Sequence, residues 1–276
     1  MDEYSPKHPE PFLLLWLLGA ALAVLACHLA IGYARQARRQ TGRAGLAGSV
    51  AAGALAWGTG IMAAMVLSVA SQPLAFVVGY SVALLAAAWA GTVALAAVPP
   101  LLLAWRPRRS SALIGGAVFG VGVTAAEASL LWAAGPLPGL VWRVDSLVLA
   151  ACMASAGAAA ALWMALIGPG RAGRQRRIWR GLATVIGALG LVMGIELVQS
   201  AGDLSTQIGS AHSGELTTAA LTLIAALLAP AALALLTGML HLGQQPGEDG
   251  DSTLAPMAEN RRRRRRRRSL WQRMFP

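Results

Sequence analysis

Two acidic residues lie inside long apolar stretches and are the groups there most able to do chemistry. Glu127 precedes Leu130-Leu131-Trp132, and Glu196 is followed closely by Gln199 and Ser200. A carboxylate at the centre of a bilayer costs about 2.5–3.5 kcal/mol unless it is paired, protonated or hydrated. The two acids therefore predict a polar pocket that holds a cation, a proton or a small ligand. The alternative is a structural pair hydrogen-bonded to Ser129, Gln199 or water.

Methionines near these acids extend the set of candidate metal ligands. Carboxylate oxygens suit hard cations, whereas soft copper prefers His, Met or Cys. The candidate metal ligands are Glu127, Glu196, Met62, Met65 and Met193. A methionine in a helix also serves as plain packing, so both readings stay open for these three.

Composition shows which elements must position the acids. Hydrophobic residues make up 56% of the 276 residues and charged ones only 13%, and the charges lie between long apolar blocks. A helix needs roughly 20 apolar residues to cross a bilayer. Seven blocks reach that length: 12–33, 44–70, 73–104, 110–134, 145–167, 181–201 and 215–242. We therefore predict an all-α seven-transmembrane-helix bundle.

The arginines predict the orientation of this bundle. Apart from Lys7 and Arg143, every basic residue lies after the first, third, fifth or seventh block. Loops rich in Lys and Arg stay in the cytoplasm. The N-terminus is accordingly expected outside and the C-terminus in the cytoplasm, which agrees with an odd number of spans.

The even-numbered blocks share a small-residue pattern near their predicted outer ends. The second reads Gly-Thr-Gly-Ile-Met-Ala-Ala-Met over 58–65, the fourth reads Gly-Val-Gly-Val-Thr-Ala-Ala-Glu over 120–127, and the sixth is looser over 190–196. Small residues at helical spacing let helices approach closely in membranes. The pattern predicts a leading helix followed by three two-helix pseudo-repeats.

This layout resembles the MHYT family of bacterial integral membrane sensors. Gly60-Ile61 and Gly122-Val123 match the opening of the family motif, and Tyr80 matches a later Tyr. The motif His is replaced by Met65, Glu127 and, in a looser register, Glu196. The resemblance implies an outside N-terminus, seven helices in a bacterial cytoplasmic (inner) membrane, and copper as the family's metal. The implied MHYT-like domain covers residues 12–242, after an external tail over 1–11.

The C-terminal region divides into a flexible linker over 243–260 and a polybasic cytoplasmic tail over 261–276. Each arginine near the membrane attracts anionic lipid by about 1 kcal/mol, and an aromatic residue beside the run is suited to the interface. The residues predicted to bind the membrane surface or a partner are Arg261, Arg262, Arg263, Arg264, Arg265, Arg266, Arg267, Arg268 and Trp271. A flexible tail that only fixes topology is the alternative. Nucleic acid is not an expected partner, because no nucleic-acid-binding fold accompanies the charge.

No nucleophile–base pair or phosphate-binding loop occurs in the sequence. We therefore expect a non-enzymatic sensory or regulatory membrane module. A second hypothesis is a membrane anchor or assembly partner that docks a cytoplasmic redox enzyme on its basic face. A third is a small ion-coupled transporter that uses Glu127 and Glu196.

Overall fold

Seven long helices form the body of the protein. The computed structural model describes residues 10–40, 42–72, 78–106, 108–167, 173–202, 209–212 and 215–242. The helices are α1 (Glu10–Arg39), α2 (Arg43–Ala70), α3 (Val82–Trp105), α4 (Arg109–Ala133), α5 (Val144–Ile167), α6 (Gly173–Ala201) and α7 (Thr218–Leu242).

All seven helices are long and apolar enough to cross a membrane. The predicted all-α class and the predicted number of spans are therefore confirmed, and the chain is a multi-pass membrane protein. Many large apolar side chains remain exposed, for example Leu227, Leu228 and Leu235 on α7. In a bilayer these side chains meet lipid instead of water, so their exposure costs little.

Several predicted boundaries are wrong. The third span was predicted from residue 73, but α3 begins at Val82, and residues 79 and 80 form a short strand. Residues 73–77 lie outside the described part of the chain. Arg35, Arg38 and Arg39 were placed in a loop, yet α1 continues through them, because Arg, Ala and Gln favour helix and need no hydrocarbon around them.

Glycines let neighbouring helices approach closely. A Cβ on Gly120 or Gly116 of α4 would overlap the α5 backbone at Ser155 or Ala159. In the same way, a Cβ on Gly157 of α5 would lie 2.6 Å from the Cα of Gly190 on α6. The small-residue pattern read from the sequence therefore falls on real helix contacts, as expected where backbones pack in lipid.

Four two-residue strands tie together the segments that precede α3, α5 and α7. These strands are β1 (Gly79–Tyr80), β2 (Pro136–Leu137), β3 (Gly209–Ser210) and β4 (Leu216–Thr217), and they pair antiparallel as β1 with β4 and β2 with β3. The Ser210 hydroxyl donates to the Ala134 carbonyl at 2.6 Å and accepts the Gly79 N–H at 3.2 Å. These contacts lie at the end of the bundle where α1 begins, which we call the α1-start end.

The chain divides into two compact units, Met1–Leu236 and Thr237–Pro276. In the first, the Tyr33 hydroxyl donates to the Leu236 carbonyl at 2.7 Å. The described part of the second is the last stretch of α7, where His241 Nδ1 lies 2.8 Å from the Thr237 carbonyl oxygen. The predicted linker over 243–260 and polybasic tail over 261–276 lie outside the described residues.

Candidate functional site: a carboxyl–amide cluster

Four helices contribute polar side chains to one hydrogen-bonded group near the α1-start end. We call it the carboxyl–amide cluster, and its members are Trp16, Ser68, Gln72, Glu127, Glu196 and Gln199. Trp16 comes from α1, Ser68 from α2, and Gln72 from the residues just after α2. Glu127 lies on α4, and the last two lie on α6.

Gln199 is the centre of this cluster and is only 3% exposed. Its Nε2 donates to Glu127 Oε1 at 2.7 Å. Its Oε1 accepts from Gln72 Nε2 and lies 3.3 Å from the hydroxyl oxygen of Ser68, whose single proton points to the nearer Glu196. One amide therefore links α4 and α6 to the end of α2.

Glu196 receives two hydrogen bonds on the same oxygen. Trp16 Nε1 donates to Oε1 at 2.8 Å, and the Ser68 hydroxyl donates to it at 2.6 Å. The residue is partly exposed. Glu196 therefore accepts hydrogen bonds from α1 and α2 at once and links both helices to α6.

Glu127 is the most deeply buried acid in the described structure, with a relative exposure of 0%. Its Oε1 accepts one hydrogen bond, from Gln199, whereas its Oε2 is buried and has no hydrogen-bond partner among the described residues. A buried polar atom without a hydrogen-bond partner costs free energy in an apolar medium. Glu127 is therefore the acid of the cluster that the described hydrogen bonds satisfy least.

Tyr80, in the strand that precedes α3, is a further titratable group that interacts electrostatically with Glu127. It is 1% exposed. Burial raises the pKa of the Tyr80 hydroxyl above its ordinary value, the charge of Glu127 adds to this, and a hydrogen bond with Thr218 acts in the opposite direction. Tyr80 thus remains a neutral phenol beside the cluster.

The structure confirms one predicted partner of the acids and rejects another. Gln199 does bind Glu127, but the Ser129 hydroxyl donates at 2.8 Å to the Ala125 carbonyl of its own helix and is exposed. The polar site also extends beyond α4 and α6, the two helices that carry the acids, to α1 and α2.

Sequence reasoning missed Trp16, Ser68 and Gln72. A signal for two of them exists, because Ser68 and Gln72 follow Met65 by one and two helical turns and so continue its face. Trp16 on the first helix gave no comparable signal.

The predicted methionine ligands do not converge with the acids as a group. Met193 is 46% exposed on α6, and Met62 lines an apolar groove of about 570 Å³ between α2, α3 and α7. Met65 is fully buried on α2. Within the described ranges no group of three His, Cys, Asp or Glu side chains is placed to hold a metal ion.

Copper, the metal that the MHYT resemblance implies, does not fit these residues. Copper prefers imidazole, thioether or thiolate ligands, whereas the described cluster offers carboxyl, amide and hydroxyl oxygens. N–H donors also occupy Oε1 of both acids. The role of the three methionines as metal ligands stays a prediction.

The opposite end of the bundle is strongly basic. The guanidinium of Arg109, at the start of α4, lies 5.5 Å from the ring centre of Trp163 on α5. Arg106 and Arg108, just before α4, and Arg177, near the start of α6, are exposed as well. The predicted membrane-binding residues of the tail fall outside the described part of the chain.

Comparisons with known proteins leave the family open. No protein-family model matches the chain. A search of curated proteins finds no match, and no solved structure matches the fold. The resemblance to the MHYT family therefore stays a prediction that rests on the residues quoted above.

Proposed function

We propose that this protein is a non-enzymatic sensory or regulatory module of a bacterial inner membrane, similar in layout to MHYT proteins. The carboxyl–amide cluster is the element that registers the stimulus. The observation that carries this proposal is the fully buried Glu127, joined through Gln199 to the rest of the cluster. A polar layer of this kind is costly in a membrane and marks a functional site by default.

The proposed orientation puts the α1-start end outside the cell. The basic residues of the described helices lie almost entirely at the opposite end, and the positive-inside rule then makes that end cytoplasmic. Arg143 is an exception, and it pairs with Asp145 at 3.6 Å. The cluster would then face the outer leaflet, where an external stimulus arrives.

The proposed three-fold repeat has support in two equivalent hydrogen bonds. The Ser81 N–H, just before α3, donates to the Ala133 carbonyl at the end of α4. The Arg143 N–H, just before α5, donates likewise to the Ala201 carbonyl at the end of α6. In both cases the start of an odd-numbered helix is fixed to the end of the next even-numbered one.

A sensory role requires that the cluster be coupled to the opposite end of the bundle. Spin labels on Gln40→Cys and Arg177→Cys, both exposed, would report that end in a protein whose own cysteines are replaced by Ala. Glu127→Gln removes the charge and keeps the shape, and we expect it to shift the measured distance distribution. Ser129→Ala, on the same helix but outside the cluster, is the control. Identical distributions in all three proteins would refute the sensory role.

A second candidate function is supported by the charge of the cytoplasmic end. Arg106, Arg108 and Arg109 are exposed there, and among the described residues no Asp or Glu lies at that end. Such a surface attracts anionic lipids and acidic proteins, which favours an anchor for a cytoplasmic enzyme. This role predicts a soluble partner that co-purifies and is released by high salt or by deletion of residues 261–268. A partner that stays bound under both treatments would contradict docking through charge.

A further inference from the structure

The carboxyl–amide cluster has unused oxygen atoms on both of its acids. Glu127 Oε2 is buried and receives no hydrogen bond from the described residues. The two donors to Glu196, Trp16 and Ser68, both end on its Oε1. Each carboxyl thus offers an oxygen whose lone pairs no described donor uses.

The two carboxyl groups are separated by a short polar chain. From Glu196 Oε1 it is 2.6 Å to Ser68 Oγ, then 3.3 Å to Gln199 Oε1, and the amide nitrogen of Gln199 lies 2.7 Å from Glu127 Oε1. Oxygens from α2, α4 and α6 are therefore concentrated in one small volume. Hard cations bind such sets of carboxylate, amide and hydroxyl oxygens.

Charge balance indicates how much positive charge the cluster lacks. Among the described residues, Arg143 pairs with Asp145, both largely exposed, and His212 Nδ1 lies 3.0 Å from Glu215 Oε1, but neither Glu127 nor Glu196 takes part in an ion pair. Glu196 is partly exposed and has two donors. Glu127, by contrast, is fully buried and has no described cation within ion-pair distance, so one positive charge beside it would balance its ionised form.

A metal ion would use the unpartnered oxygen of Glu127 in a different way from a proton. Protonation would turn Glu127 Oε2 from an unpartnered acceptor into an unpartnered donor, since no described residue offers an acceptor at that atom. A cation instead uses lone pairs on several oxygens at once. The cation must be hard enough to prefer oxygen ligands. A single positive charge is enough to balance the one fully buried acid.

We propose that the carboxyl–amide cluster binds one hard monovalent cation of the sodium class between the carboxyl groups of Glu127 and Glu196. Gln199 and Ser68 lie between these two acids and supply further oxygens. The inference rests on the proposed function in one respect, because it names the ligand of the same cluster. Binding itself does not require that the cluster signal to the other end.

The test is thermal unfolding of the full-length protein in lipid nanodiscs, with NaCl exchanged for choline chloride at constant ionic strength. A ligand that binds only the folded state raises the unfolding midpoint, by about 3–5 °C for each tenfold rise in Na⁺ above its dissociation constant. KCl in place of NaCl measures selectivity, and a smaller rise in KCl supports a sodium-class site. We expect Glu127→Gln to abolish the rise. Asp145→Asn, an exposed acid at the same end, should leave it intact.

A second readout guards against poor folding of Glu127→Gln. The wild-type protein should broaden the sodium NMR signal. Glu196→Gln should broaden it less. Equal midpoints in NaCl, KCl and choline chloride would overturn the proposal, as would a rise that persists in Glu127→Gln. Stabilisation that appears only on acidification would identify a proton instead and would also overturn it. If sodium fails to bind while Glu127→Gln still shifts the spin-label distances, the sensory role survives with another ligand.

Discussion

Replacing Gln199 by Leu should destabilise the protein far more than its volume change suggests. Gln199→Leu removes the one hydrogen bond that Glu127 receives and also the acceptor for Gln72, whereas Ser68 keeps its shorter hydrogen bond to Glu196. Each lost hydrogen bond costs about 1 kcal/mol, and a buried acid left without any partner adds about 1–3 kcal/mol. We expect the free energy of unfolding to fall by about 3–5 kcal/mol.

The two native cysteines provide the assay. Cys27 is 1% exposed and Cys152 is exposed, so a Cys152→Ser background leaves one buried thiol as a reporter of unfolding. Heating in the presence of a fluorogenic maleimide would follow the exposure of Cys27. Gln199→Leu should react at a clearly lower temperature than the parent protein.

A double mutant separates the unpaired acid from general damage to packing. Replacing both partners of a buried polar pair by apolar residues is often nearly neutral. Glu127→Leu with Gln199→Leu should therefore be more stable than Gln199→Leu alone. Ser129→Ala, an exposed serine of the same helix, should change stability by less than about 0.5 kcal/mol. If Gln199→Leu is as harmless as Ser129→Ala, the energetic reasoning about the cluster is wrong.

Three further predictions concern the packing, the loops and the tail. Gly120→Ala should lower the free energy of unfolding by about 1–3 kcal/mol, because the added Cβ would overlap the backbone at Ser155. Gly48→Ala, in open space on α2, should raise it slightly, and the reactivity of Cys27 measures both changes. Ser210→Ala removes the donor to the Ala134 carbonyl and should increase protease cleavage in the segments before α3, α5 and α7, and an unchanged cleavage rate would refute this. Deleting residues 261–268 should weaken adhesion of protein-bearing nanodiscs to vesicles that contain anionic lipid, more strongly at low salt than at high salt; equal adhesion would count against the membrane role of the tail.

The spans were predictable from the sequence because apolar block length is a direct physical requirement of the bilayer. The start of α3 was not predictable, because no charged residue separates residues 73–81 from the helix that follows. Residues 79 and 80 form a strand because β1 pairs with β4, which lies far along the same chain at residues 216 and 217. A local pattern carries no information about a partner that lies so far along the chain.

The acids of the cluster were predictable because a carboxyl group in an apolar block is costly and therefore conspicuous. The hydrogen-bond donors of the cluster were harder to predict. Trp16 lies 180 residues from Glu196 in sequence, and tryptophan near a helix end is common in membrane proteins for another reason, the interfacial belt. Met193 looked equivalent to Met62 by spacing, because each lies three residues before the last position of its pattern, yet Met193 falls on the exposed face of α6. Which face of a helix is buried depends on the arrangement of its neighbours.

The most direct test of this account is the side of the membrane on which each end of the bundle lies. In a protein without native cysteines, Leu137→Cys marks the α1-start end and Gln40→Cys marks the opposite end, and both positions are exposed. A membrane-impermeant maleimide added to intact cells should label position 137, whereas position 40 should be labelled only after the membrane is permeabilised. Labelling of both positions from the same side would contradict a bundle that spans the membrane with the cluster near its outer face.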